Sequence, residues 1–146
     1  DTVNSLLSLG YTLLLQNVHA AVEASGLHTH FGCLHVPQAN RPSLVCDLVE
    51  EFRAQVVDSL VAYLLNSGVY GLDDFTAADE RGGVYLQSKA LKVFLRHWED
   101  RLQLAVVHPH TGRKVSLRRC FELQVAEYVR VVMGERAVYR PMLWQR

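Results

Sequence analysis

The sequence predicts an all-α fold, a single helical domain of four main helices with a turn-rich insertion. Three observations carry that expectation. Apolar residues recur at helical spacing in four long stretches. Each stretch is bounded by capping or breaking residues. No repeat, low-complexity tract or linker divides the chain. With 146 residues, 49% of them hydrophobic, the chain is large enough to bury one core of ordinary size.

The first helix is read from Val3 to Ala24, where Leu6, Leu7, Tyr11, Leu14, Leu15, Val18 and Val22 share a face, with Asn4 near its start and Gly26 just past its end. Residues 27 to 42 form a loop, since Gly32, Pro37 and Asn40 interrupt either regular structure. Ser43 is a natural N-cap for a second helix. That helix runs through Leu44, Val45, Leu48, Phe52, Val56, Val57, Leu60, Val61 and Leu64 and is closed by Asn66-Ser67-Gly68. Its apolar face is wide enough for the central helix of the core. Residues 69 to 85 are rich in turn formers, with a short extended piece at Val84-Tyr85-Leu86. The third helix spans Ser88 to Gln103, with Leu91, Phe94, Leu95, Trp98 and Leu102 on one face. His108-Pro109-His110-Thr111-Gly112 then breaks the chain, and the fourth helix runs from about Leu117 to Met133, stopped by Gly134.

Formal net charge is zero, but the charges are segregated. Residues 1 to 80 hold two bases and ten acids, a net of −8, and residues 81 to 146 hold thirteen bases and five acids, a net of +8. An acidic half beside a basic half suits a protein that gathers cations at one place and phosphates at another, although folding can also interleave the two. Cys33, Cys46 and Cys120 are odd in number and far apart, without a C-x-x-C pair, so they read as reduced thiols, mostly buried. No run of about 18 apolar residues is free of polar ones, and Asp1-Thr2-Val3-Asn4 lacks the basic region of a signal peptide. The expected location is the cytoplasm, with no membrane partner.

The stretch most informative about chemistry is Gly32-Cys33-Leu34-His35 followed by Arg41-Pro42-Ser43-Leu44-Val45-Cys46-Asp47-Leu48-Val49-Glu50-Glu51-Phe52-Arg53. Asp47, Glu50 and Arg53 are three apart, so on one continuous helix they form a stripe. The preceding loop is able to fold His35 over it. One imidazole and two carboxylates suit Mn²⁺ or Mg²⁺, with Arg41 and Arg53 placed to hold a phosphate that the metal polarises. The same residues also have an ordinary reading. Carboxylates near a helix N-terminus are favoured by about 0.3–1 kcal/mol each, and Glu50 with Arg53 makes a common surface ion pair. A second metal pattern, His28, His30, Cys33 and His35, lacks the paired spacing of zinc modules. Without G-x-S-x-G, H-E-x-x-H or a glycine-rich phosphate loop, serine hydrolases, zinc proteases and nucleotide-binding enzymes have no foothold. Phe94 and Trp98 sit at helical spacing and read as core rather than as stacking platforms for bases.

Taken in order, several stretches resemble the cas-one integrases of CRISPR adaptation. They are Asp1-Thr2-Val3-Asn4-Ser5-Leu6-Leu7-Ser8-Leu9-Gly10-Tyr11-Thr12-Leu13-Leu14, Gly26-Leu27, Gly32-Cys33-Leu34-His35, Arg41-Pro42-Ser43-Leu44 and Asp47-Leu48-Val49-Glu50-Glu51-Phe52-Arg53. Gly82-Gly83-Val84-Tyr85-Leu86, Gln124 and Tyr139-Arg140-Pro141 continue the match, which covers nearly the whole chain. The resemblance implies the C-terminal helical lobe of a larger two-lobed protein, with residues 1–146 as its helical catalytic domain. It implies a divalent metal, Mg²⁺ or Mn²⁺, held by His35 and Glu50 and assisted by Asp47. Arg53 and Arg41 match DNA-contacting positions, and Asn4, Tyr11 and Ser43 match polar residues near the same pocket. The family's third ligand, a Glu on a helix preceding the segment that begins at Asp1, has no counterpart here, and neither has the β-rich N-terminal lobe through which the family dimerises.

Members of that family join a DNA 3′-hydroxyl to a phosphodiester of the CRISPR repeat, and many cut branched DNA. The partners implied are double-stranded or branched DNA, the small cas-two subunit, and a second copy through the N-terminal lobe. Arg113, Lys114, Arg118, Arg119, Arg136 and Arg140 of the basic half are expected to track the DNA backbone. The alternative from another class is a non-catalytic helical scaffold that binds DNA or a partner protein.

Overall fold

The computed structural model of the chain describes residues 1–27 and 43–144. His28, His30, Cys33, His35 and Arg41 lie outside the described residues, as does the side chain of Ser43. The metal reading at His35, the zinc pattern, and the roles of Arg41 and Ser43 therefore lie there too.

The spine of the molecule is α1, Thr2–Ala24, about 35 Å long at 1.5 Å per residue. Its N-cap is Asp1, whose carboxylate accepts the Asn4 backbone N–H at 2.8 Å. That satisfies one of the orphan donors of the first turn. Leu6, Gly10, Leu14, Val18 and Val22 recur every four residues and form its buried stripe. Along this stripe α1 meets α2 (Ser43–Glu50), the π-helical segment Arg53–Asp58, α3 (Ser59–Asn66) and α5 (Leu117–Val132).

The second helix expected from periodicity is three pieces in one line. After α2, the Glu51 and Phe52 N–H groups bond back three residues, to Leu48 and Val49. A wider π-helical turn then carries Arg53–Asp58 before α3 resumes the α period. A tight turn followed by a wide one keeps Phe52, Val56, Val57, Leu60 and Val61 all buried. Such irregularities inside helices concentrate at functional sites. Gly10 shows how closely α1 approaches this stretch, since a Cβ there would lie 2.6 Å from Val57 Cγ1.

α4 (Ser88–Leu102) buries Ala90, Phe94, Trp98 and Leu102, so the Phe94 and Trp98 stripe is core. Before it, a 3₁₀ turn at Leu72–Asp74 leads to a bridge pairing Phe75 with Leu86, the extended piece expected from the sequence. The segment read only as a break, His108 to Gly112, is the turn of an antiparallel hairpin. β1 (Ala105–Val107) pairs with β2 (Lys114–Ser116), and Gly112 takes φ 66° in the turn. Ser116 then caps α5, accepting the Arg119 N–H. The hairpin escaped the sequence reading because two strands of three residues are too short to show alternation. Of the two described cysteines, both free, Cys120 is buried and Cys46 half-buried.

Candidate functional site

The end of α2 presents two consecutive glutamates. Glu50 is exposed and bonds the Arg53 guanidinium, Nη1 to Oε1 at 2.9 Å. Arg53 Cζ also lies over the Tyr11 ring, 4.5 Å from its centroid, and Tyr11 in turn donates its hydroxyl to Asp58. Asp58, Tyr11, Arg53 and Glu50 form a chain across the α1 contact, running from the π-helical segment out to the end of α2. The stacked, doubly held guanidinium is stabilised in its charged form by Tyr11 and then by Glu50, which raises its pKa further. The Asp58 carboxylate likewise raises the Tyr11 pKa. Tyr11, Thr12, Leu15, Cys46, Val49, Glu50 and Arg53 line a groove of about 260 Å³.

Glu50 also borders a second, larger cavity of about 510 Å³ on its other side, shared with Asp47, Glu51, Leu44, Leu48, Tyr128, Tyr139 and Pro141. It therefore stands on the ridge between two depressions, with Arg53 on one side and Asp47 on the other. Of the residues predicted from sequence, Glu50, Arg53 and Tyr11 converge directly. Asp47 joins them through the second cavity. Asn4 does not reach the same groove. Its side-chain amide bonds Asp1 at 3.2 Å, and it lines a cavity of about 530 Å³ with Ser5, Ser8 and residues 82–86. The grooves of Asn4 and Tyr11 meet at Thr12.

Carboxylate oxygens from Asp47 and Glu50 on one rim are the hard donors that Mg²⁺ or Mn²⁺ prefers, so the residues present fit part of a divalent-metal ligand set. Among the described residues no group of three His, Cys, Asp or Glu is gathered for a metal.

Glu51, one residue on, faces inward and is the residue the sequence reading missed. Its carboxylate accepts the Tyr139 hydroxyl, the Gln124 amide at 3.0 Å and the Met142 N–H at 2.8 Å. Its carbonyl accepts the Trp144 indole N–H at 2.8 Å. Gln124 is fully buried on α5. Its carbonyl oxygen accepts His108 Nε2 at 2.8 Å, and its amide also donates to the Tyr139 hydroxyl and the Arg140 carbonyl. Glu127, only 4% exposed, accepts Arg140 Nε at 2.7 Å and Nη2 at 3.1 Å and forms an ion pair with Arg136, whose Nε approaches to 3.0 Å without a hydrogen bond. These cations hold the Glu127 carboxyl below the usual range, Arg140 contributing most. The signal for this network was available: Gln124 falls on the buried face of α5, between Phe121 and Val125, where a polar residue needs partners.

The basic half is divided. Arg118 is bound by both oxygens of Glu99 at 2.9 Å and Arg119 pairs with Glu122, both at the surface, whereas Arg136 and Arg140 are committed to the buried Glu127. Folding has interleaved the signs there. No helix among the described residues is long and apolar enough to cross a membrane.

Residues 1–100 match the family described as CRISPR associated protein Cas1. The chain is 40% identical to CRISPR-associated endonuclease Cas1 3 of Thermus thermophilus, over 97% of its own length and 42% of that protein's. It is 34% identical to CRISPR-associated endonuclease Cas1 1 of Chlorobaculum tepidum, again covering 42% of the relative. Among solved structures it resembles a Cas1 protein from Thermotoga maritima, with TM-score 0.82 and 28% identity over 92% of this chain and 41% of that one. It also resembles a casposase bound to its integration product, with TM-score 0.86 and 26% identity over 98% of this chain and 42% of that one. The chain thus spans about two fifths of the length of these relatives.

Proposed function

The chain belongs to the Cas1 family, and from that premise we propose that it is the helical half of a metal-dependent DNA integrase and endonuclease of CRISPR spacer acquisition. The observation that carries the reading is the ridge itself. An exposed carboxylate, Glu50, stands between a stacked arginine and a second acid, with a groove on either side. That juxtaposition offers an anion to a cation and a cation to a phosphate within one side-chain length.

In this reading Glu50 and His35 hold Mg²⁺ or Mn²⁺, with Asp47 assisting. When bound, the metal supplies the positive charge that polarises a phosphodiester. Arg53, held over Tyr11, which Asp58 anchors in turn, exchanges its bond to Glu50 for a phosphate oxygen and neutralises charge that develops there. Arg41 and Ser43 are proposed to assist in holding the phosphate. Exchange of one phosphodiester for another is near isoenergetic, so joining a DNA 3′-hydroxyl to a repeat needs no nucleotide cofactor. The partners proposed are prespacer and repeat DNA, the small Cas2 subunit, and a second copy through the β-rich lobe that the family's longer members carry.

The test is strand transfer by the whole protein. Glu50→Gln removes the charge but keeps the shape, and joining is expected to fall by roughly 10²–10³-fold, the size of one lost electrostatic stabiliser. Undiminished joining would overturn the enzyme reading and leave the alternative, a helical scaffold that binds DNA or a partner protein. Arg53→Gln is expected to weaken DNA binding across sequences and to flatten the slope of log affinity against log salt by about 0.9, one phosphate contact.

A further inference from the structure

Tyr139, Arg140, Pro141, Met142 and Trp144 lie across the junction between α2 and the π-helical segment, and every one of them is tied down. The Tyr139 hydroxyl and the Met142 N–H reach the two oxygens of Glu51, and the Trp144 indole reaches its carbonyl. The Arg140 side chain is gripped by Glu127, and its carbonyl accepts Gln124. The Pro141 carbonyl accepts His110 Nε2 at 2.7 Å. Met142 is buried, and the Trp144 ring meets Phe52 edge-on at 5.9 Å between centroids. The grip falls where the helix changes period, from the tight turn at Glu51 and Phe52 to the wide one at Arg53. At such a point the backbone alone specifies side-chain direction least well.

Neighbouring side chains on a helix point about 100° apart. Fixing Glu51 inward therefore fixes Glu50 outward, toward Tyr11 and Arg53. We infer that Glu51 is a positioning residue for Glu50, and that the strap of residues 139–144 works through it to aim the ridge carboxylate from more than 85 residues away in sequence. The part of the inference that concerns metal rests on the proposed role of Glu50. The part that concerns geometry does not.

Two measurements on the whole protein keep these parts separate. Three variants are compared with wild type: Glu51→Gln, Tyr139→Phe, which removes one hydroxyl and is the gentler probe, and Phe94→Leu, a core change on α4 away from the strap. Hydrogen exchange without metal reads the geometry. In Tyr139→Phe, amides of residues 47–56 are expected to exchange about tenfold faster, while Phe94→Leu leaves that stretch no looser than the rest. Unchanged exchange at 47–56 in Tyr139→Phe, or the same loosening in Phe94→Leu, overturns the inference. Mn²⁺ titration followed by electron paramagnetic resonance reads the consequence. Glu51→Gln is expected to weaken Mn²⁺ binding about tenfold, as loss of a ligand's supporting partner does; Tyr139→Phe weakens it less, and Phe94→Leu leaves it unchanged. Equal weakening in all three assigns Glu51 a purely structural role and overturns the positioning claim. If wild type itself binds no Mn²⁺, the metal reading of Glu50 fails, and the exchange result alone decides the positioning of the ridge.

Discussion

Glu50 and Glu51 are the same residue at adjacent positions, and they do opposite things. Among the described residues Glu50 has one ion-pair partner, and both members of that pair are more than two-fifths exposed. Glu51 accepts three donors on its carboxylate and one on its carbonyl, from α5 and from a segment 88 to 93 residues distant. The difference teaches that the residue able to serve a ligand is the one whose structural obligations are light. A carboxylate that already accepts three internal donors has most of its lone pairs committed and little left for an incoming cation. An exposed pair such as Glu50 with Arg53 contributes little to stability, typically under 1 kcal/mol, so it can exchange partners without loosening the fold.

The largest effect that would sharpen this contrast is expected at Gln124. Gln124→Ala strips partners from His108, Tyr139 and Glu51 together, leaving buried polar groups unsatisfied. Denaturant unfolding should show a loss of roughly 3 kcal/mol, with the strap the first region to exchange. A loss under about 0.5 kcal/mol would mean the inward network is no tighter than the outward pair, and the comparison would fail.

Next in size is Gly10→Ala. The added methyl would sit 2.6 Å from Val57 Cγ1, and overpacking of this kind costs about 1–3 kcal/mol, partly offset by the better helix propensity of alanine. The melting temperature should fall, and the π-helical segment against α1 should loosen. An unchanged or raised melting temperature would show that the close approach beneath Tyr11 and Arg53 is not tight.

A smaller effect is expected from acid. The Glu127 carboxyl is held below its ordinary value near 4.5 by Arg140 first and by Arg136. Its folded pKa being depressed, its contribution is fully present above the unfolded value and is lost as pH falls through the folded one. Stability should therefore decline below about pH 4.5, and Glu127→Gln should remove that component of the decline. An identical pH profile in the variant would refute the assignment. Smallest of all is the effect of Glu50→Gln on unfolding, expected within about 0.5 kcal/mol of wild type. A larger loss would place Glu50 among the structural residues and erase its difference from Glu51.

Much of the fold was legible in the residues themselves. The α1 stripe, the α4 stripe through Phe94 and Trp98, and the stop of α5 near Gly134 follow from spacing and breakers, which act over a few residues. The convergence of Glu50 with Arg53 was readable for the same reason, as residues three apart on a helix stay adjacent. Tyr11, 39 positions before Glu50, entered only through the family resemblance, and the structure seats Arg53 on its ring. Asn4 entered the same way, and its own backbone capping by Asp1 and its separate groove set it apart.

What the sequence by itself determined is the set of helices, because periodicity, caps and breakers are local properties that each segment carries whatever its neighbours do. Only the tertiary structure decided the rest. The tight and wide turns that break the second helix, the short hairpin, and the choice of Glu51 for the inside and Glu50 for the outside arise where residues 10, 51, 57, 124 and 139–144 meet. The contacts of Gly10 with Val57 and of Glu51 with Gln124 and the strap span 47 to 93 residues and leave no periodic trace. A half-buried carboxylate takes its direction from whichever donors close around it, and those donors are assembled only by folding.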